Sequence, residues 1–451
     1  MSTITSALKS PRAGVWNRSF VAIFLAYFLV NLALNMSNNL STPYARELGA
    51  TPVVIGIVAT GFTYGAIVFK LASAPAIDSF NRKWVMLGAV GVIFVALVGY
   101  AFSTNVPTLI TFRVIQGIGQ AFTATCFIAL AADTLPREKI AAGMGIFALG
   151  TAGAMMLGSP IALKLQEVIG YQGTFLVAVG ILAGGAIAVA SMKVSFTRKK
   201  KFRITLTGFI APEAIPSALL QFLFMLAWSS VFSFLIVFGQ DQGLGSNVGF
   251  FNTVYGLAVF ATAPIGGRLT DRFGYFMLIP MLFFMAAALV TISFASNIWI
   301  LLLAGLFGAL GYGAAGPVVR SITMSVVPNS RRGSASSTLF LASDIGQLVG
   351  PIIGGVLATA FGYAVMYQVM PVYLVLALIL LLFSHRYLKS KAAAVAAAEK
   401  AEQEAIDAQA TSASTASSAG DAPVPSPSPT MSCARSASSS LPSSASARSP
   451  A

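Results

Sequence analysis

The chain has 451 residues, of which 56% are hydrophobic and only 9% are charged. Soluble domains carry about 25% charged residues, so this composition excludes an ordinary soluble protein. The net charge of +14 also occurs in nucleic-acid-binding proteins, but here the basic residues are dispersed among short loops between apolar runs. The excess of basic residues on one side of membrane proteins explains that pattern better. We therefore expect a lipid bilayer as the environment and no nucleic-acid partner.

Apolar runs recur along the chain, and crossing a hydrocarbon core of ~30 Å takes ~20 residues of helix. The sequence predicts twelve spans, at about 19–40, 51–73, 84–103, 107–131, 140–163, 172–194, 214–239, 247–268, 275–295, 298–323, 334–359 and 362–385. Lysine and arginine gather in the loops on one side, whereas the other side has only Arg46 and Lys164. This asymmetry predicts a multi-pass protein of the inner (cytoplasmic) cell membrane with both termini in the cytoplasm.

The polar segments divide the chain into predicted domains. These are a cytoplasmic N-terminus (1–18), a first helix bundle (19–194), a cytoplasmic central loop (195–213), a second bundle (214–388) and a disordered cytoplasmic tail (389–451). The start of the tail, Ala392–Ala410, contains helix formers and is open to a short helix. From Thr411 onward the chain is mostly Ser, Ala and Pro, which bury too little apolar surface to order a segment.

A charged segment recurs at half-chain spacing, which indicates an internal duplication. The second copy is GGRLTDRFGYF, Gly266–Phe276, and the first is SAPAIDSFNRKW around Asp78; both are predicted as turns between spans. The pair resembles the loop that joins the second and third helices in each half of a major facilitator superfamily transporter, a motif close to G-x-L-a-D-r-x-G-r-k. The matching gating-loop residues are Asp78, Arg82 and Lys83 in the first copy and Gly267, Leu269, Asp271, Arg272 and Gly274 in the second.

This resemblance implies an all-α polytopic fold with twelve transmembrane helices in two pseudo-symmetric six-helix bundles. It also implies a central substrate cavity that opens alternately to the two sides of the membrane. The sequence contains no metal-ligand cluster, hydrolase constellation or phosphate-cradling loop. We therefore expect a monomeric secondary transporter, and not an enzyme, with no cofactor or metal and with a small molecule and protons as its partners.

Two of the charges inside predicted spans are candidates for function, because a charge within the membrane is costly. Arg113 begins RVIQGIGQA, which resembles the superfamily motif R-x-x-Q-G at Arg113, Gln116 and Gly117. It lies only ~9 Å from a helix end, so either a functional charge or a side chain that reaches the interface fits it. Asp344 lies ~15 Å deep, too far for that reach. It is predicted as the proton-coupling site, with Arg113 as the opposing fixed charge, and a structural role is the alternative. Lys70 is expected to reach the membrane surface.

Polar residues inside the spans predict a cavity wall, because such a face must meet protein or water. Asn31, Asn35 and Asn38 fall at i, i+4 and i+7 on the first span. The remaining predicted cavity residues are Gln116, Gln120 and Thr123 on the fourth span and, more weakly, Tyr64, Trp228 and Gln347.

Glycine and proline recur at matching places in the fifth and eleventh spans. Gly350, Pro351, Gly354 and Gly355 resemble the superfamily signature G-P-x-x-G-G. In the fifth span, where proton-driven antiporters carry it, Gly158 and Pro160 retain a partial form. With Gly117, these residues are predicted to pack helices closely.

The resemblance leaves two functions open. The first is a proton-coupled antiporter that exports a small amphipathic drug or metabolite, and the alternative is a proton-coupled symporter that imports a small polar nutrient. It also implies a charge relay, in which Asp78 approaches the start of the eleventh helix and Arg82 pairs with Asp133.

Overall fold

The helix boundaries follow from local capping signals. The computed structural model describes residues 17–135, 140–191 and 210–419, apart from some side chains within the helices. Asn17 begins the first helix by accepting a hydrogen bond from the N–H of Phe20 at 2.8 Å. Asn81 and Asn297 cap later helices in the same way. Each cap satisfies a backbone N–H that has no partner within its own helix.

The described chain is built from helices, which the sequence predicted. They are α1 Arg18–Glu47, α2 Pro52–Ser79, α3 Arg82–Ala101, α4 Val106–Thr134, α5 Ile140–Ala190, α6 Ile215–Asp241, α7 Phe250–Phe273, α8 Leu278–Ser293, α9 Ile298–Gly308, α10 Ala314–Ser325, α11 Arg332–Val369 and α12 Pro371–Ala419. A π-helical turn, Ala309–Gly313, joins α9 to α10, so these two form one crossing.

Two glycines break long helical runs. Gly170 inside α5 has φ 71° and Gly362 inside α11 has φ 84°, a left-handed conformation that glycine adopts without strain. Ten described segments are long and apolar enough to cross a membrane. One of them, Gly143–Ala190, contains the break at Gly170 and therefore makes two crossings, and the 24-residue α7 adds one more. The described helices thus supply the twelve predicted crossings.

The crossings form two pseudo-symmetric six-helix bundles. In the first, α1 packs on α5, and α4 packs on α2 and α3; in the second, α6 packs on α11, and α8 packs on α9. The bundles meet where α2 contacts α11, α5 contacts α7 and α1 contacts α6. We call the end of the molecule where α1 ends the Arg46 face, and the opposite end, where α3 begins, the Lys83 face.

Helix α3 shows how an almost uniformly apolar sequence divides between core and lipid. Met86, Ala89, Ile93, Leu97 and Tyr100 recur at three- and four-residue intervals and are buried, which places them on one helix face. The intervening Phe94 and Val95 are exposed. In a bilayer the exposed stripe contacts acyl chains, so burial within the protein is not required of every apolar residue.

The helices extend beyond the apolar runs, and this corrects two predicted turns. Helix α2 continues to Ser79, so Asp78 lies in its last turn, and α7 continues to Phe273, so Asp271 and Arg272 are helical. The reversal after α7 begins only at Gly274, whose φ is 56°. A helix ends where its backbone hydrogen bonds end and not where its hydrophobicity ends. The side-chain interactions predicted for Asp78, Asp133, Asp271 and Arg272, and the packing of Gly267, lie outside the described residues.

The C-terminal segment differs from its prediction as well. The chain divides into two units, Met1–Ala397 and Ala398–Ala451, and both bundles lie in the first. In the second unit the helix continues to Ala419, whereas the sequence predicted disorder from Thr411. Alanine is the strongest helix former, and adding a residue to an existing helix is easier than starting one.

Candidate functional site

A cavity of about 210 Å³ lies between the two bundles. We call it the central cavity. Its wall comes from both halves and consists of Asn35, Asn38, Asn39, Thr42, Ala59, Thr60, Phe62, Arg113, Met155, Ser229, Phe232, Ser233, Asn252 and Gln347. Amide and hydroxyl side chains outnumber the apolar ones, so the cavity can hold a polar molecule by hydrogen bonds and still contact an apolar portion.

The asparagines of α1 form one side of the central cavity. The Nδ2 groups of Asn35 and Asn39 donate to the carbonyl oxygens of Asn31 and Asn35, four residues earlier, at 2.9 and 2.8 Å. Because the donors bind the helix itself, the Oδ1 atoms are left to accept hydrogen bonds from neighbours. Asn39 Oδ1 accepts one from Nδ2 of Asn252 across the interface at 3.3 Å.

Arg113 lines the cavity, and its guanidinium donates hydrogen bonds to neutral acceptors. Its Nε donates to the carbonyl oxygen of Val58 at 2.9 Å, and its Nη2 donates to that of Ala59 at 2.8 Å. Its Nη1 donates to Asn38 Oδ1 at 2.6 Å and to Gln116 Oε1 at 3.1 Å. The predicted match of Arg113 with Gln116 thus corresponds to a direct hydrogen bond.

The charge of Arg113 is not neutralised by an acid in the described chain. The side chain is only 2% exposed, and none of the described carboxylates forms an ion pair with it. The ring of Phe62 lies 4.9 Å from its Cζ. A guanidinium buried among dipoles and an aromatic ring stays positively charged and favours a negative group beside it.

Asp344 pairs with a different cation. Its Oδ2 lies 2.7 Å from Nζ of Lys70, so Lys70 crosses the interface between the halves, where the sequence favoured a side chain directed at the membrane surface. Lys70 and Arg320 also lie over the ring of Phe340, at 5.3 and 5.4 Å from its centroid. The Asp344 carboxylate therefore pairs with Lys70, and both Lys70 and Arg320 approach the ring of Phe340, four residues before Asp344 on the same helix.

Close backbone contacts join the halves on the Arg46 side of the cavity. A Cβ at Gly355 would lie 2.6 Å from the carbonyl oxygen of Pro52, and one at Gly56 would overlap that of Pro351. Thr253 Oγ1 donates to the carbonyl oxygen of Met156 at 2.7 Å, and Arg46 forms an ion pair with Asp241. These contacts close the cavity toward the Arg46 face.

The other predicted packing residues also lie at helix contacts. Gly350 and Gly354 face α6, Gly158 faces Asn35 on α1, and Gly117 faces the backbone of α2 at Phe62. Pro160 lies against Gly249, the residue before α7 begins in the second half. Small residues at these places let backbones approach closely.

The structure brings only some of the predicted cavity residues to the wall. Asn35, Asn38, Arg113 and Gln347 line it. The others lie elsewhere. Asn31 donates to the carbonyl oxygen of Tyr27, Gln116 is buried behind Arg113, and Gln120 and Thr123 lie farther along α4. Tyr64 is 40% exposed, and Trp228 stacks between Tyr255 and Tyr312.

Sequence reasoning missed several wall residues, among them Asn39, Ser229, Ser233 and Asn252. Asn39 follows Asn35 by four residues, and Ser233 follows Ser229 by four. The same helical spacing that identified the first asparagines could therefore have found them.

The predicted gating residues on α3 are partly described. Arg82 Nη1 donates to the carbonyl oxygen of Ala129 on α4 at 3.4 Å, and Lys83 Nζ donates to that of Ala190 on α5 at 2.5 Å. Both bonds remain within the first half. The partner proposed for Arg82, Asp133, lies outside the described side chains.

Known proteins place this architecture in a family context. The family model described as Major Facilitator Superfamily matches residues 23–216 and again 217–432. The chain is 22% identical over 344 residues to an uncharacterized MFS-type transporter of Methanocaldococcus jannaschii, across 74% of this chain and 89% of that protein. It is 27% identical over 306 residues to the multi-drug resistance efflux pump PmrA of Streptococcus pneumoniae serotype 4, across 64% and 76%.

A solved structure shares the fold. A bacterial homolog of the human lysosomal transporter Spinster, in an inward-facing and occupied conformation, matches with a TM-score of 0.70 at 16% identity. The match covers 82% of this chain and 97% of that chain. At this identity the likeness concerns the arrangement of the helices and not the substrate.

Proposed function

Because the chain belongs to the major facilitator superfamily, we propose that it is a secondary transporter that exports a small amphipathic molecule in exchange for protons. The export direction is supported by its similarity to a protein named as a multi-drug resistance efflux pump. The amphipathic substrate is supported by a cavity wall that combines asparagines with Phe62, Phe232 and Met155.

The observation that carries the proton coupling is the Lys70–Asp344 ion pair. It joins α2 of one half to α11 of the other, so a relative movement of the halves that opens the Arg46 face would rearrange it. A nearby cation favours the carboxylate, whereas burial without one favours the neutral acid. Asp344 would therefore carry a proton while the Arg46 face is open and release it toward the Lys83 face when it pairs with Lys70, as it does in this conformation. Arg320 on α10, over Phe340, is the other described charge facing this pair.

Alternating access would use the two faces in turn. The excess of Lys and Arg in the loops of the Lys83 face supports a cytoplasmic location for that face and both termini. The halves are joined by close backbone contacts on the Arg46 side, and we assign this conformation to the inward-facing stage. Asp78, in the last turn of α2, would approach the start of α11 when the Lys83 face closes. We propose a monomer as the working unit.

One observation favours a second function, the import of a small polar nutrient together with protons. Asn35, Asn38, Asn39 and Asn252 line the cavity, and amides suit a polar molecule better than an apolar drug. The two functions use the same residues and differ only in the direction in which the proton and the substrate move.

A flux assay separates them. Purified protein is reconstituted into liposomes that contain a pH-sensitive dye. The liposomes are exposed to amphipathic compounds such as ethidium and to polar compounds such as amino acids and nucleosides. If the protein exchanges substrate for protons, substrate added outside the liposomes should drive protons out of them. If it transports substrate and protons together, the same addition should drive protons into the liposomes. Substrate flux that ignores an imposed pH gradient would contradict both.

A further inference from the structure

We propose that the substrate carries an anionic group, which the guanidinium of Arg113 receives in the central cavity, as in a small organic carboxylate. The inference rests on the proposed transport function and specifies its substrate class.

The hydrogen-bond partners of Arg113 are all uncharged groups. A guanidinium has five N–H groups. Four of them bind neutral acceptors: the carbonyl oxygens of Val58 and Ala59, and the side chains of Asn38 and Gln116. The Tyr100 hydroxyl also interacts with the guanidinium, so every described partner of Arg113 is an uncharged group, and Arg113 lines the cavity. A carboxylate in the cavity would give the guanidinium the one kind of partner that it lacks, a negatively charged oxygen.

The positive charge of Arg113 favours an anionic ligand. Arg113 is almost fully buried, and no described carboxylate pairs with it; the deep acid, Asp344, is engaged by Lys70. An isolated buried charge is costly, and a counter-ion removes that cost. The free energy gained by neutralising Arg113 is available only to a ligand that brings a negative charge, and a neutral or cationic ligand would leave or increase the cost.

Two further cations, Lys70 and Arg320, lie toward the Lys83 face. Arg320 lies beside a cleft of about 400 Å³ lined by Gly316, Pro317, Ser321 and Met324. Its described partner is the ring of Phe340, which Lys70 also covers. Around Phe340 the described charges are the cations Lys70 and Arg320 and the carboxylate Asp344, which leaves a net positive charge. A cleft with net positive charge concentrates anions and speeds their entry.

The volume and the polar groups of the central cavity favour a compact ligand. A volume of about 210 Å³ lies below the roughly 300–1,000 Å³ of sites for drug-sized ligands, which favours a compact molecule. Asn252 Oδ1 is buried with no hydrogen-bond partner among the described residues. The cavity therefore suits a molecule with a hydroxyl or amine donor beside its anionic group.

The test uses pairs of probes that differ only in charge. Binding of 3-hydroxybenzoate and 3-hydroxybenzamide, and of lactate and lactamide, is measured by calorimetry on the full chain in lipid nanodiscs at pH 7. Hydrogen bonds to charged groups are worth enough to predict roughly tenfold or stronger binding of at least one carboxylate over its amide. If no carboxylate binds better than its amide, the proposal is overturned. This comparison needs no variant.

Variants then locate the charge that is recognised. Arg113→Gln should remove the preference, whereas Arg113→Lys should keep part of it because the charge remains. A preference that persists in a folded Arg113→Gln protein would overturn the role of Arg113. The readout is independent of coupling, so carboxylate binding without proton-linked flux contradicts the proposed function only. Proton-linked flux of cations that is unchanged in Arg113→Gln contradicts this inference only.

Discussion

Lys70 on α2 and Asp344 on α11 are 274 positions apart in the chain, yet their Nζ and Oδ2 atoms lie 2.7 Å apart between the two halves. On the Arg46 side the same two helices meet through backbone at Gly56 and Pro351. Helices α2 and α11 thus make a close backbone contact toward one face and a contact between long side chains toward the other. A contact made by side chains alone is the easier of the two to break.

We expect Lys70→Met to fold normally and to open the Lys83 side more widely. The Lys70 side chain is 41% exposed, and exposed ion pairs contribute only about 0–1 kcal/mol to stability, so the melting temperature should change little. Spin labels at Trp84 and Phe276, both exposed at the Lys83 face, would show a longer mean distance. The double variant Lys70→Asp with Asp344→Lys should restore the shorter distance. An unchanged distance in Lys70→Met would mean that the pair does not limit the opening of this side.

We expect Gly355→Ala to weaken closure at the Arg46 face. Its Cβ would lie 2.6 Å from the carbonyl oxygen of Pro52, so the halves must move apart. Spin labels at Phe102 and Phe294, exposed at the ends of α3 and α8, measure the separation. Gly91→Ala is the matched control, because a Cβ at Gly91 meets nothing within 4 Å. Equal distances in both variants would contradict the contact.

The stack around Trp228 should tolerate phenylalanine but not alanine. Trp228 lies 5.7 Å from Tyr255 and 5.4 Å from Tyr312 between ring centroids. Trp228→Ala leaves a void and should lower the free energy of unfolding by ~3–5 kcal/mol. The indole N–H has no acceptor among the described residues, so Trp228→Phe loses no hydrogen bond and should cost less. Thermal unfolding in detergent tests this order, and equal losses would contradict it.

The C-terminal segment should be dispensable for transport. The bundles lie within Met1–Ala397, and the Ser-, Ala- and Pro-rich sequence from Thr411 cannot form a further core. Truncation after Lys391 should leave the flux per molecule in proteoliposomes unchanged. Loss of flux at normal membrane abundance would assign this segment a role in the cycle.

The sequence predicted the architecture because each crossing has a local signal. Apolar length identifies each span; the break at Gly170 falls between two predicted spans, and the break at Gly362 falls at the first residue of the twelfth. The polar face of α1 was also local, so Asn35 and Asn38 could be placed in the cavity. The Lys70–Asp344 pair could not be predicted from the sequence, because it depends on how α2 and α11 are rotated about their axes and on which side of the protein is open. The ends of α2 and α7 were missed because hydrophobicity does not define where a helix stops.

The most direct test of proton coupling through Asp344 is transport by Asp344→Asn in proteoliposomes with an imposed pH gradient. We predict that this variant no longer accumulates substrate against a gradient but still binds substrate and exchanges it at equilibrium. Glu213→Gln is the matched control: Glu213 forms an ion pair of the same 2.7 Å length with Arg331, but within one half, so accumulation should persist. If Asp344→Asn still builds a substrate gradient from a proton gradient, Asp344 is not the coupling site.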